Sequence, residues 1–139
     1  MSNNVIKLIK KTQIFQDLLD KEVDKILEGC SVIQVEKDQK VLSKGDVQRE
    51  LMVTLEGNVY LTRKDGTNIT LGPGSFFGEL ILLSDDIVAT DIYAQSDCVF
   101  VLVIPFDHIH SLYSKDLRIY GVIMANLAKM LAGRLKRAA

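Results

Sequence analysis

The residues that could do chemistry lie in one glycine-rich segment, from Leu71 to Leu83, which reads LGPGSFFGELILL. A short helix predicted to begin near Gly78-Glu79 would present its first unpaired amides at the positive end of the helix dipole. Because glycine lets a ligand approach the backbone closely, these amides could hold an anion such as a phosphate. Glu79 is an acceptor suited to a ribose hydroxyl. In the alternative interpretation, Gly78 only permits a turn and Glu79 caps its own helix.

The other chemically suggestive residues give a weaker signal. His108 and His110 could suggest a metal site, but residues two apart do not share a helix face, and no cysteine or third histidine lies nearby in sequence. Asp107 is predicted to cap a short helix that runs through Ile109 and Leu112. The sequence has no serine elbow, no cysteine with a nearby histidine and no P-loop. We therefore expect neither a metal centre nor an enzyme.

Helical segments frame the chain. From Val5 to Leu27 apolar residues recur at three- and four-residue spacings, which predicts helices. Asp20 is the predicted N-cap of the second helix, and Gly29 its end. From Lys115 onward a single apolar stripe of about two dozen residues predicts a long C-terminal helix. Its members are Ile119, Val122, Ile123, Leu127, Met130, Leu131 and Leu135.

Between the helices the apolar period changes to two, as in the run Leu51, Val53 and Leu55. A second β stretch runs from about Asp91 to Pro105. Many short strands with frequent turns predict a mainly β fold, an antiparallel, jelly-roll-like β-roll. We expect one domain, with helices at 4–29, the β-roll at 30–105 and helices at 106–138. The predicted turns are Gly45-Asp46, Glu56-Gly57-Asn58, Asp65-Gly66 and Gly72-Pro73-Gly74.

Composition and charge narrow the class of protein. The 139 residues have 47% hydrophobic and 25% charged residues and a net charge of −1, values typical of a globular domain with no general attraction for nucleic acid. No apolar run is long enough to span a membrane, and the N-terminus does not resemble a signal peptide. Cys30 and Cys98 are predicted to be buried, reduced thiols. We expect a soluble, cytoplasmic protein.

At the level of these motifs, the chain resembles the cyclic nucleotide-binding domain family, which includes catabolite-activator regulators and kinase regulatory subunits. The resemblance covers nearly the whole chain and is strongest at the segment from Phe77 to Leu80, which matches the phosphate-binding cassette of that family. The other matching positions are Phe15, Leu18, Gly45-Asp46, Glu56-Gly57, Val59, Leu71, Gly74, Leu83, Ala89, Ala94 and Asp97.

The resemblance implies an eight-stranded β-roll with a short cassette helix over the ligand and a last helix that serves as lid and dimer face. Glu79 and the Gly78 backbone would then hold the ribose of cyclic AMP or cyclic GMP. Amides near Leu80 and at Ala89-Thr90 would line the phosphate, and Phe77 is also among the ligand-binding residues that the resemblance implies.

One departure from the family pattern concerns the phosphate. Family members that bind ligand carry an arginine nine or ten residues after the cassette glutamate, where this chain has Val88 and Ala89. No lysine or arginine lies between Lys64 and Lys115. A hydrogen bond to a charged group is worth about 1.5–3 kcal/mol, so its loss weakens binding about ten- to a hundredfold. Arg134, on the last helix, could supply the missing charge as a lid contact, although a basic helix end that complements the dipole is commoner.

These observations leave several functions open. The leading prediction is a stand-alone regulatory or sensor module that does not bind cyclic nucleotide conventionally and acts through a partner protein or another small ligand. The alternatives are a genuine cyclic nucleotide receptor with a non-standard phosphate contact and the effector half of a transcription regulator. Ala125, Ala128 and Ala132, with Gly133, favour a homodimer through the C-terminal helix. We expect no DNA binding, because the residues that would form a helix-turn-helix after this helix are not present.

Overall fold

The computed structural model describes residues 3–47, 49–78 and 90–138. Two compact units emerge, one helical, formed by residues 1–29 and 107–139, and one of β-strands, formed by residues 30–106.

The helical unit joins the two ends of the chain. Its core is apolar and includes Ile9, Phe15, Val23 and Ile123, all fully buried. The buried face of the last helix packs on the 3₁₀ segment, which explains why an apolar stripe recurs in both terminal regions. The helices are α1 Asn3–Lys11, the 3₁₀ segment Gln13–Phe15, α2 Asp20–Leu27, α3 Phe106–Lys115 and α4 Leu117–Ala138.

The predicted caps need correction. Leu19, not Asp20, is the N-cap of α2, and Asp20 is its first helical residue. Glu22 fulfils the capping role, because its Oε1 accepts a hydrogen bond of 2.9 Å from the Leu19 amide. Asp107 likewise lies inside the first turn of α3, which begins one residue earlier at Phe106. Gly29 follows the end of α2, as predicted.

Side chains of α4 clamp the link between the 3₁₀ segment and α2. The amide of Asn126 donates to the carbonyl oxygens of Ile14 (3.1 Å) and Gln16 (2.8 Å). Arg118 donates to the Asp17 carbonyl at 3.2 Å and pairs with the buried carboxylate of Glu22 at 3.1 Å. Backbone groups that leave regular helix must find other partners, and α4 supplies them here.

The β unit has eight strands among the described residues, in two antiparallel four-stranded sheets with the orders β1-β8-β3-β6 and β2-β7-β4-β5. The predicted β-roll is thereby confirmed. Asp65-Gly66 turns β4 into β5 as expected, with Gly66 at φ +89°. The strands are β1 Ser31–Glu36, β2 Lys40–Leu42, β3 Glu50–Glu56, β4 Val59–Thr62, β5 Asn68–Leu71, β6 Phe76–Phe77, β7 Ile92–Ala94 and β8 Cys98–Pro105.

The strand predicted from Leu51, Val53 and Leu55 is confirmed as β3, but burial does not alternate along it. Leu51 and Val53 are fully buried, but so are Thr54 and, nearly, Met52 on the opposite face, whereas Leu55 is half-buried. A strand buried on both faces loses the period-two signal in its burial. The inner faces of the two sheets share one apolar core, formed by Val35, Val41, Leu42, Met52, Val59, Phe77, Ile92, Ala94, Val99, Val101 and Val103.

The two cysteines are less enclosed than expected. Neither Cys30 nor Cys98 forms a disulfide, and each is half-buried. Burial nevertheless raises the pKa of the Cys30 thiol to about 12, which keeps it protonated and unreactive near neutral pH.

Candidate functional site

The candidate site begins with a turn that we call the glycine turn, residues 72–75. Its backbone is bonded to β3 on both sides of Thr54. The Gly74 amide donates to the Thr54 carbonyl at 2.8 Å, and the Thr54 amide donates to the Ser75 carbonyl at 2.9 Å. Gly74 has φ +89°, a left-handed conformation that glycine adopts without strain. The turn therefore leads into β6 in a defined position.

The glycine turn delivers Phe77 and Gly78 to the inside of the β unit. Phe77 pairs with Met52 across β6 and β3 and is 7% exposed, so it belongs to the core wall. Gly78 has φ +88°. Glycine adopts this left-handed conformation without strain, so the geometry agrees equally with a turn and with the predicted amide cradle.

Four predicted ligand-contact positions lie outside the described residues: Glu79, Leu80, Val88 and Ala89. The amide cradle, the ribose contact and the position of the missing arginine therefore remain predictions. Thr90 is described, half-buried in a bend just before β7. The structure thus gives the two borders of the cassette, at Gly78 and Thr90.

The wall beside these borders is apolar. Leu61 on β4 and Leu71 on β5 are partly buried and pack against the shared core, close in the fold to the buried Val59. Such a surface can cover a ring or a hydrocarbon but offers no group to a charged ligand.

The carboxylate of Asp91, next to Thr90, is surrounded by hydrogen-bond donors. Asp91 accepts a 2.7 Å hydrogen bond from the Lys44 amide, lies 3.4 Å from Lys40 Nζ and 3.4 Å from the Tyr93 hydroxyl. These contacts, the Lys44 amide first, lower the pKa of Asp91. A carboxylate beside a phosphate site would repel the anion, but the charge of Asp91 is partly offset by these donors. Asp85 and Asp86, the nearby carboxylates in the sequence, lie outside the described residues.

Lys40 is engaged at the outer face of its sheet. Its ammonium lies 5.8 Å from the centroid of the Tyr93 ring, which stacks on Tyr60 with a centroid distance of 5.3 Å. Arg134, the other cation of interest, is exposed in the last part of α4. Its role as a lid contact remains a prediction.

The two histidines have separate surroundings. His108 Nε2 lies 2.8 Å from the Ile26 carbonyl oxygen, at the end of α2. The His110 ring packs edge-on to Tyr120, with centroids 6.4 Å apart. No group of three His, Cys, Asp or Glu side chains suited to a metal ion occurs within residues 3–47, 49–78 and 90–138.

Two polar residues of the site region escaped the sequence interpretation. Thr54 is fully buried on β3, and its hydroxyl lies 3.1 Å from that of Ser75 in the glycine turn. Only the presence of a hydroxyl within the otherwise apolar run LMVTL could have pointed to it, since threonine also fits any strand through its branched Cβ.

No helix in the described part of the chain is long and apolar enough to cross a membrane.

Known proteins similar to this chain share the same domain. The family model described as the cyclic nucleotide-binding domain matches residues 32–116. The cyclic AMP receptor protein of Thermus thermophilus is 27% identical over 135 residues, covering 94% of this chain and 60% of that protein. A cGMP-dependent protein kinase of Plasmodium berghei is 29% identical over 84 residues, which are 60% of this chain and 10% of the kinase.

Solved structures agree on the fold. The catabolite activator protein of Thermus thermophilus superposes with a TM-score of 0.75 and 27% identity, covering 91% of this chain and 59% of that one. The N-terminal domain of a transcriptional regulator from Streptomyces coelicolor has a TM-score of 0.80 at 20% identity and 95% coverage of both chains. Because the family model spans more than half of the sequence and the fold agrees, this chain belongs to the cyclic nucleotide-binding domain family.

Proposed function

We propose that this chain is a regulatory, non-enzymatic module of its family whose pocket does not bind cyclic AMP or cyclic GMP in the usual way. One observation carries the proposal: no lysine or arginine lies between Lys64 and Lys115. That interval includes Val88 and Ala89, where the family places its phosphate-binding arginine. Without that cation, the cyclic phosphate would be held by backbone amides alone. The affinity for cyclic nucleotide would then be about ten- to a hundredfold lower. The module then responds to another small ligand or to a partner protein.

Calorimetry with restored arginine tests this proposal. We expect the unaltered chain to bind cyclic AMP and cyclic GMP weakly or not at all, and Val88→Arg or Ala89→Arg to raise the affinity about ten- to a hundredfold. Val88→Leu, which adds bulk without charge, is the matched control and should bind no better than the unaltered chain. Micromolar binding of either nucleotide by the unaltered chain would overturn the proposal.

A second candidate is a genuine receptor that takes its phosphate contact from α4. The supporting observation is that Arg134, Lys136 and Arg137 cluster at the end of a helix that has no acidic residue from Leu117 to Ala138. If nucleotide binding is found in the unaltered chain, Arg134→Ala should abolish most of it, whereas Lys136→Ala should not. Equal affinity in both variants would exclude Arg134 as the phosphate contact.

The relatives are longer than this chain, which spans about 60% of the cyclic AMP receptor protein and about a tenth of the kinase. Because both relatives are longer than this chain, a third role is that of the effector part of a larger regulator. The length of the natural gene product distinguishes this role from that of a separate module. A helix-turn-helix encoded downstream would favour a transcription regulator.

Homodimerisation through α4 is part of the proposal. One exposed face of α4 has residues spaced alternately by four and three positions, which is the spacing of a helix–helix seam. Its members are Gly121, Ala125, Ala128, Ala132 and Leu135. The face that packs on the chain's own 3₁₀ segment is a different one, so the seam is not used up by internal packing. Small side chains there would let a second α4 approach closely.

Light scattering on the whole chain measures the association. We expect a dimer at tens of micromolar protein, and Ala128→Glu should convert it to a monomer by burying a charge in the seam. Arg137→Glu introduces the same charge off the seam and should leave the dimer intact. A monomeric unaltered chain, or equal effects of the two variants, would exclude this seam.

A further inference from the structure

The inner face of β3 carries one hydroxyl among apolar side chains. Thr54 is fully buried and faces the same way as Met52, and their cross-strand partners Val101 and Val103 belong to the apolar core. A valine has almost the same shape and would fill this position without a polar atom to satisfy. The buried hydroxyl therefore depends on a hydrogen-bond partner, and that partner is Ser75.

The two hydroxyls form a short relay into the glycine turn. Ser75 Oγ lies 2.7 Å from the Gly72 carbonyl oxygen and 3.1 Å from Thr54 Oγ1. A hydroxyl has a single proton, and Ser75 donates it to the closer carbonyl. The Thr54 hydroxyl then donates to Ser75 Oγ, so the chain of bonds runs from β3 through Ser75 to Gly72.

Backbone bonds reinforce the same connection. The Thr54 amide and carbonyl are bonded to the turn at Ser75 and Gly74, so one β3 residue makes a side-chain and two main-chain contacts with residues 72–75. The turn leads directly to Phe77 and Gly78, the border of the candidate ligand-binding cassette. Any displacement of the turn is passed along this two-residue strand to that border.

We propose that Thr54 is a positioning residue for the ligand-binding loop, acting through Ser75 to fix the glycine turn and with it the backbone of Phe77 and Gly78. The statement that this backbone faces ligand rests on the proposed function. The statement that Thr54 fixes the turn does not, because it concerns the unliganded chain.

Hydrogen–deuterium exchange of the whole, unliganded chain tests the proposal, with Thr54→Val as the isosteric variant. Loss of one neutral hydrogen bond should make the backbone amides of residues 72 and 74–78 exchange about two- to tenfold faster. The amides of β1 and β8 should keep their protection. Thr54→Ser, which retains the hydroxyl, should restore slow exchange at the turn although it lacks the methyl group.

Ser75→Ala provides the second half of a double-mutant cycle. Because the two hydroxyls act in one relay, the variant carrying both substitutions should exchange at the turn little faster than Ser75→Ala alone. Unchanged exchange at residues 72–78 in Thr54→Val would overturn the proposal. So would a uniform acceleration over the whole β unit, or a Thr54→Ser variant that behaves like Thr54→Val. Failure of the proposed function would appear instead in the nucleotide calorimetry, which leaves the exchange of the unliganded chain unaffected.

Discussion

Gly29, just after α2, lies where a side chain would strike a neighbouring ring. A Cβ built at this position would come within 2.5–2.6 Å of three atoms of the His108 imidazole, far closer than van der Waals contact. Gly29 does not have the left-handed φ that excludes other residues, so the cost of Gly29→Ala is purely one of space. The ring itself is tethered, because its Nε2 lies 2.8 Å from the Ile26 carbonyl oxygen.

Gly29→Ala should therefore destabilise the helical unit. The ring can move away only by giving up its hydrogen bond, worth about 0.5–1.5 kcal/mol, and if it stays the overpacking costs about 1–3 kcal/mol. The stiffer unfolded chain returns about 0.4–1 kcal/mol. The net loss in the free energy of unfolding is therefore up to about 1 kcal/mol if the ring moves and up to about 2.5 kcal/mol if it stays, and each kcal/mol corresponds to a fall in Tm of about 3–5 °C for a chain of this size.

Urea denaturation followed by far-ultraviolet circular dichroism measures this loss. In a His108→Ala background the ring is gone, and Gly29→Ala should become neutral or slightly stabilising. Gly121→Ala is the matched control, because a Cβ there meets nothing within 4 Å and alanine in a helix is favoured by up to about 1 kcal/mol. The reasoning fails if Gly29→Ala is harmless in the natural background or equally harmful in both backgrounds.

Three further predictions concern the described residues. Gly57→Ala should lower the free energy of unfolding more than Gly45→Ala. Both glycines have positive φ, but only at Gly57 would a Cβ meet backbone, at 2.7 Å from the Cys98 carbonyl oxygen. Equal losses of stability in urea denaturation would contradict this prediction. Asn126→Ala should lower the free energy of unfolding by about 2–4 kcal/mol, because the carbonyl oxygens of Ile14 and Gln16 lose their donor. Asn126→Asp at neutral pH should cost more, because a carboxylate would face the same oxygens; a milder effect of the aspartate would be evidence against this clamp. With a pKa raised to about 12, Cys30 should react very slowly with iodoacetamide at pH 8 in a Cys98→Ser chain and rapidly once urea unfolds it. Because the pKa of Cys30 is raised in the folded chain, the contribution of its protonated thiol to stability is complete below pH 9 and declines between pH 9 and 12. Rapid labelling of Cys30 in the folded chain would refute the raised pKa.

Much of the fold could be predicted from local patterns. The change of apolar period near Cys30 and the glycine turns place the β unit correctly, because strand pairing follows the pleat and a turn such as Asp65-Gly66 fixes its own register. The predicted long final helix is likewise confirmed as α4. Its stripe divides, however: Ile119, Ile123, Leu127 and Met130 are buried, whereas Leu135 is exposed. Periodicity gives the face of a helix but not the length over which a neighbour covers it.

The incorrect or missed features all depend on contacts between distant residues. Asp20 has the right side chain for a cap, but Glu22 takes that role because Arg118, almost a hundred residues later, pairs with its carboxylate. Asn126 interrupts the apolar stripe for a reason visible only once the 3₁₀ segment lies beside it. Thr54 is similar, since its partner Ser75 belongs to another strand connection. A single sequence does not reveal which polar residue meets which.

The helical unit's construction from both ends of the chain has a consequence for its synthesis. The 3₁₀ segment leaves the ribosome about a hundred residues before the α4 side chains that cover it, a delay of roughly 5–20 s at ordinary elongation rates. During that interval Phe15 and Ile14, fully buried in the finished protein, lack the part of their cover that α4 provides. We expect nascent chains that stop before Leu117 to be captured by chaperones or to aggregate, and the β unit to form first. We therefore expect the packing of α4 on the 3₁₀ segment to be the last step of folding.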